Sequence, residues 1–147
     1  MEVTLLLSLV RRPSSITSLL WLVPRKKTLT KVIKDIVADI QAVLPDCDDL
    51  RLKEYRGNPN FYVGHCYVAS EAVYHIAKTE GIELKPMFMW HENCPHWYLL
   101  YSGKVVDPTS KQFTSFVDYA AGRGKGFLTR GPSKRAKALI ARVTTKK

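Results

Sequence analysis

The apolar residues change their spacing at Gly81, and that change limits the folds open to this chain. Before it, Val32, Ile33, Ile36, Val37, Ile40, Val43 and Leu44 recur at three-four spacing up to Pro45. This predicts an amphipathic helix of about four turns, capped by Thr28 or Thr30. A second helix is predicted from His65 or Cys66 to Thr79, with Val68, Ala69, Ala72, Val73 and Ile76 on one side. Between the two, Asp46-Cys47-Asp48-Asp49, Gly57-Asn58-Pro59-Asn60 and Gly64 carry turn chemistry. After Gly81 the apolar runs become short and strand-like: Pro86 to Trp90, His96 to Tyr101 and Lys104 to Val106. A last helix is predicted from Ser133 to Val143, burying Ala136, Leu139, Ile140 and Val143. Helices packed on a small antiparallel sheet place the chain in the α+β class.

With 147 residues and 46% apolar content, the chain suits one ordinary domain rather than disorder or a repeat array. Residues 28–147 read as a single α+β domain with a basic C-terminal loop and helix, and residues 1–27 as an apolar and basic extension. Within that extension, Leu5 to Val10 and Leu19 to Val23 are too short to span a bilayer, so no transmembrane segment is expected. Arg11 and Arg12 follow the first apolar run instead of preceding it, which argues against a secretory signal. The extension packs on the domain, or binds a membrane surface or partner through Trp21 and its basic neighbours. Three cysteines are too few, and odd in number, for a secreted disulfide scaffold, so a reduced, cytoplasmic setting is expected.

The formal net charge of +10 is unevenly spread. Residues 1–27 carry +4, residues 119–147 carry +9 with no acidic residue, and the stretch between them sums to −3. Clustered positive charge of this kind attracts polyanions by releasing their counterions, which makes nucleic acid a candidate partner for the basic C-terminal region. The alternative is a solvated, solubilising tail.

Gly64-His65-Cys66 opens the second predicted helix. A thiol at a helix N-terminus sits in the positive end of the helix dipole, which favours the nucleophilic thiolate, and glycine allows close backbone approach there. The competing reading is a buried cysteine acting as a small hydrophobe. Downstream, Pro95 to Tyr101, Ser102-Gly103 and Lys104 to Thr109 read as a hairpin with a two- or four-residue loop. Either loop sets Tyr101 against Lys104, Leu100 against Val105 and Tyr98 against Asp107. His96 and Asp107 then share a face as diagonal neighbours about 7 to 8 Å apart, within reach of a histidine–carboxylate hydrogen bond. Singly, each is as well explained as a strand-end histidine and a turn aspartate. Taken together, Cys66, His96 and Asp107 form the set that thiol catalysis needs: nucleophile, base and orienting carboxylate. Asn60, six residues before Cys66, is a candidate oxyanion donor beside the Cys66 N–H, with Asn58 as an alternative; either could instead be turning the chain beside Pro59.

A Gly-x-Cys helix start, a downstream His-Trp strand and an Asp-Pro-Thr strand end resemble the core of the transglutaminase-like and papain-like thiol enzymes. Over residues 60 to 110, that resemblance implies Cys66 as nucleophile, His96 as base and Asp107 as the residue that orients it. The strings Gly64 to Ala72 and Gly122 to Leu128 are also similar to small proteins of tailed bacteriophages, which implies a source, and with it a host cytoplasm, but no activity. The spacing of eleven from His96 to Asp107 is tight for the thiol-enzyme family, and the chain is small for a protease with an elaborated cleft.

Other groupings compete for these residues. His91, Cys94 and His96 with His65 or Cys66 offer zinc-ligand types, but no second Cys-x-x-Cys accompanies them. No metal or other cofactor is therefore expected. Trp97, beside His96, is a candidate wall of the substrate channel. Gly122-Arg123-Gly124-Lys125-Gly126 lacks the Gly-Lys-Ser/Thr ending of a Walker loop, yet as a basic glycine loop leading to a helix near Ser133 it could cradle an anion. Folded over the thiol, it would make Arg123 and Lys125 substrate-binding residues. The expectation is thus a thiol hydrolase or acyl transferase acting on an amide or isopeptide bond of a protein or peptide. The alternative is a non-catalytic phage accessory protein that binds nucleic acid or protein through its basic ends.

Overall fold

The computed structural model describes residues 29–146. By compactness the chain divides into residues 1–32 and 33–147, and of the first unit only the opening turn of a helix is described. The readings of the N-terminal extension and of Thr28 as a cap lie outside the described residues.

Helix α1 spans 29–43 and ends where Pro45 falls in a short 3-10 turn, Leu44–Asp46. Its apolar stripe, Ile33, Ile36, Ile40 and Val43, is buried as the three-four spacing predicts. Helix α2 runs Cys66–Thr79 and α3 runs Lys134–Lys146. The sheet is antiparallel in the order β3-β2-β1-β4, with β1 Lys85–His91, β2 Cys94–Tyr101, β3 Lys104–Val106 and β4 Arg123–Gly124. The α+β class is therefore observed.

Both hairpins turn in two residues held at positive φ, Glu92-Asn93 and Ser102-Gly103, the turn form whose twist matches that of the flanking strands. The second hairpin sets Tyr101 opposite Lys104 and Leu100 opposite Val105, the expected register. In the first, Met89 faces His96 and His91 faces Cys94. One face of the sheet gathers Met87, Met89 and Tyr98 into a small core, closed over by Leu100, Val117 and Tyr119. The segment that follows β3 thus covers the face that carries His96.

The start of α2 is fixed from several sides. His65, fully buried, sets Nδ1 at 2.6 Å from the Phe61 carbonyl and Nε2 at 3.0 Å from the Cys47 carbonyl. The hydroxyl of Ser70 donates to the Trp97 carbonyl (3.2 Å), tying the helix to β2 one residue beyond His96. Gly64 lies at φ +83°, and a Cβ there would sit 2.6 Å from the Cβ of Tyr55, so only glycine fits the bend that delivers Cys66.

At α3, Ser133 caps the helix by accepting the Ala136 N–H (3.2 Å), while its own N–H and hydroxyl donate to the two oxygens of Glu71 (2.6 and 2.7 Å). Glu71 is fully buried on α2. The anion expected at this helix start is therefore supplied by the chain's own carboxylate.

Candidate active site

β2 brings His96 to the start of its strand, and the hairpin returns Asp107 to it. Nε2 of His96 donates to Oδ2 of Asp107 at 2.7 Å, and both side chains are only 2% exposed. The carboxylate is itself held on every side. Oδ2 also accepts the Tyr119 hydroxyl (2.6 Å), and Oδ1 accepts the N–H and hydroxyl of Thr109 (3.0 and 3.3 Å). Gln112 donates to the Thr109 hydroxyl, and the Tyr98 hydroxyl donates to the Tyr119 carbonyl. The histidine ring lies between Tyr98, stacked with centroids 6.0 Å apart, and Phe113, edge-on at 4.7 Å.

Electrostatics follow from this packing. Burial alone would push the His96 pKa down, but the hydrogen bond to Asp107, the neighbouring Cys66 sulfur and the charges of both partners outweigh it and raise the pKa to about 9. Asp107 occupies Nε2, so Nδ1 is the nitrogen left for the Cys66 thiol. Tyr119 is pushed above the ordinary phenol range by burial and by its bond to Asp107, so it remains a donor to that carboxylate.

Cys66 and His96 line one cleft of about 540 Å³, and Trp97 stands in its wall. Of the three cysteines, all free, Cys66 is half-buried, Cys94 is exposed on the same cleft and Cys47 is buried in the core. Burial pushes the Cys47 thiol up despite the nearby Arg142, which disfavours its thiolate.

Other expected members of the site are not brought to the cleft. The side-chain oxygen of Asn60 accepts the Tyr62 N–H (3.0 Å), and its backbone N–H donates to the Asn58 side chain (2.8 Å). Both asparagines shape the turn around Pro59, and neither lines the cleft. Arg123 and Lys125 also lie outside its wall. Instead of a glycine loop, Arg123-Gly124 forms the edge strand β4, and the Lys125 N–H donates to the Pro86 carbonyl (3.1 Å). The side chains of Arg123 and Lys125 lie over the Phe88 ring at 5.6 and 4.6 Å, with Lys125 5.6 Å from the Trp97 ring. Among the described residues no group of three or more His, Cys, Asp or Glu side chains is disposed to hold a metal.

Sequence reasoning missed the residues that hold Asp107. Thr109 was within reach, because an aspartate followed two residues later by threonine is an Asx-turn pattern. Tyr119 and Phe113 were not, since they come from an irregular segment without periodicity. Comparison with known proteins finds no matching family model, no similar curated protein and no similar solved structure.

Proposed function

We propose that the chain is a thiol hydrolase or acyl transferase acting on amide or isopeptide bonds of a protein or peptide. The observation that carries this reading is a buried histidine clamped by Asp107 on one nitrogen and neighboured by the Cys66 sulfur at the start of a helix. At neutral pH His96 already holds the proton of the Cys66–His96 pair on Nδ1, and the sulfur attacks the carbonyl carbon. The oxyanion meets the N–H groups of the first turn of α2, which have no intrahelical partners. His96 then returns the proton to the leaving amine, the C–N bond breaks, and a thioester to Cys66 remains. Water or a second amine resolves it, giving its proton to His96 and releasing the Cys66 sulfur, which restores the pair. Asp107 fixes the tautomer and stabilises the imidazolium.

The order of parts, a helix-borne cysteine, a strand-borne histidine and an aspartate at the end of the next strand, supports a transglutaminase-like or papain-like core. Free thiols suit a reducing compartment, so we place the protein in the cytoplasm, the host's if the gene is a phage's. No described helix is long and apolar enough to cross a membrane.

The test is the rate of iodoacetamide alkylation at each cysteine, read by peptide mass spectrometry on the native chain and on His96→Ala. Cys66 should react about tenfold faster than exposed Cys94 at neutral pH, lose that advantage in the variant, and leave Cys47 unmodified. Equal rates at Cys66 and Cys94 would overturn the catalytic reading.

A further inference from the structure

Two arginines of α3 are used differently. Arg142 grips both oxygens of Asp49 at 2.8 and 2.6 Å and so fastens the helix to the turn after α1. Arg135, two turns earlier, is half-buried and faces the cleft that holds Cys66. One of its nitrogens, Nη1, donates to the Leu50 carbonyl at 2.7 Å, which tethers the guanidinium at that end. Among the described residues no carboxylate pairs with it. A guanidinium has five N–H donors in a rigid fork suited to a carboxylate, and a cation held at a cleft wall without a counter-charge is a binding group waiting for one.

The rest of the wall agrees. Its one carboxylate, Glu92, is turned outward: its side chain is 69% exposed, lies 3.0 Å from His91 Nε2 and accepts the Ser115 hydroxyl at 3.0 Å. Its charge is thus solvated and partly answered. Burial and the Glu71 carboxylate raise the Tyr67 phenol, and the Leu128 N–H and, less, the Arg135 charge oppose that rise. Leu52 and Leu128 are large apolar side chains left exposed on the same wall, Leu128 at 83%.

We infer that Arg135 is the carboxylate anchor of the cleft, so that the acyl donors presented to Cys66 carry a carboxylate close to the bond that is cleaved. This deepens the thiol-enzyme reading and rests on it.

The experiment needs no substrate. Iodoacetate and iodoacetamide are close in size and alkylate the same sulfur, but only iodoacetate carries a carboxylate. The ratio of their rates at Cys66, measured by peptide mass spectrometry, should fall by about fivefold in Arg135→Gln, the effect of removing one partly screened charge. It should hold in Arg135→Lys, which keeps the charge, and in Lys134→Gln, which removes an exposed charge from the same turn. The imidazolium of His96 attracts iodoacetate in every variant and cancels from the comparison. An unchanged ratio in Arg135→Gln, an equal fall in Lys134→Gln, or a fall in Arg135→Lys as large as in Arg135→Gln would overturn the assignment. If Arg135→Gln loses its helical circular dichroism, Arg135→Met, which keeps the aliphatic stem and removes the charge, takes its place: the same fivefold fall is expected, and an unchanged ratio overturns the assignment. Failure of the underlying reading looks different: native Cys66 would then react with iodoacetamide no faster than Cys94.

Discussion

A histidine that is 2% exposed and still holds a proton at neutral pH must be kept charged by its neighbours. Here those neighbours are Asp107 and Cys66, and their pull outweighs the cost of burial. The sign of the resulting pH dependence is fixed. Because the folded pKa, about 9, lies above the ordinary histidine value, the imidazolium adds stability below about pH 6.5 and loses it as pH rises through about 9. The contribution at stake is about 3 kcal/mol. The urea midpoint of the native chain should therefore decline from about pH 6.5 to 9.5, whereas that of His96→Gln should hold until about pH 8.5 and then decline less, as the buried Cys47 thiol ionises in the unfolded chain; parallel curves would mean that His96 is not charged in the fold. Activity should fall above about pH 9 for the same reason, because the leaving amine loses its acid. The His96–Asp107 contact was legible from the sequence, since a two-residue Ser-Gly turn fixes the register and the register fixes the face. Asn60 was not: an amide beside a proline serves a turn as well as an oxyanion, and only the Tyr62 N–H on its side-chain oxygen decides between them.

At the level of elements, the site depends on two joints. The first is Gly64, where the chain bends at positive φ against Tyr55 and against the stem of Arg51, whose Nη1 ties down the Tyr55 and Asn58 carbonyls. Gly64→Ala adds left-handed strain and a 2.6 Å clash, and should cost about 3 kcal/mol in urea unfolding while slowing alkylation of Cys66. A cost under about 1 kcal/mol would show that Tyr55 can move aside. The second is Glu71, which joins α2 to the start of α3. Glu71→Ala removes both acceptors of the Ser133 N–H and hydroxyl, and should cost about 2 kcal/mol by the same measurement. The helices and long strands were legible because each keeps one period for several residues; α2 begins at Cys66 and ends at Thr79 as its pattern indicates. β4 was not, because Arg123-Gly124 is two residues long and glycine shows no alternation.

For the whole molecule, the question is what the positive charge does. Its concentration at the C-terminus is plain in the sequence, but its use is a matter of contacts. Arg142 is spent on Asp49 and Lys146 bonds the Ala42 carbonyl (3.2 Å), so one side of α3 fastens the helix to α1 and the turn after it, while Arg135, bonded to the Leu50 carbonyl through one nitrogen, keeps its charge at the cleft. Arg123 and Lys125 stand over Phe88, on β4 and just beyond it, outside the wall of the cleft. A polyanion drawn to the remaining exposed cations, among them Arg130, Lys134 and Lys137, would meet the molecule through phosphate contacts that salt screens strongly. Such binding and thiol chemistry need not share a surface, and that separation can be measured. Saturating oligothymidylate at low salt should leave the iodoacetamide rate at Cys66 within about twofold of its value in buffer, since a bound strand held by solvent-facing cations does not enter the cleft. Protection of Cys66 by tenfold or more, relieved by raising the salt, would instead run the strand across the thiol and make nucleic-acid binding the leading function.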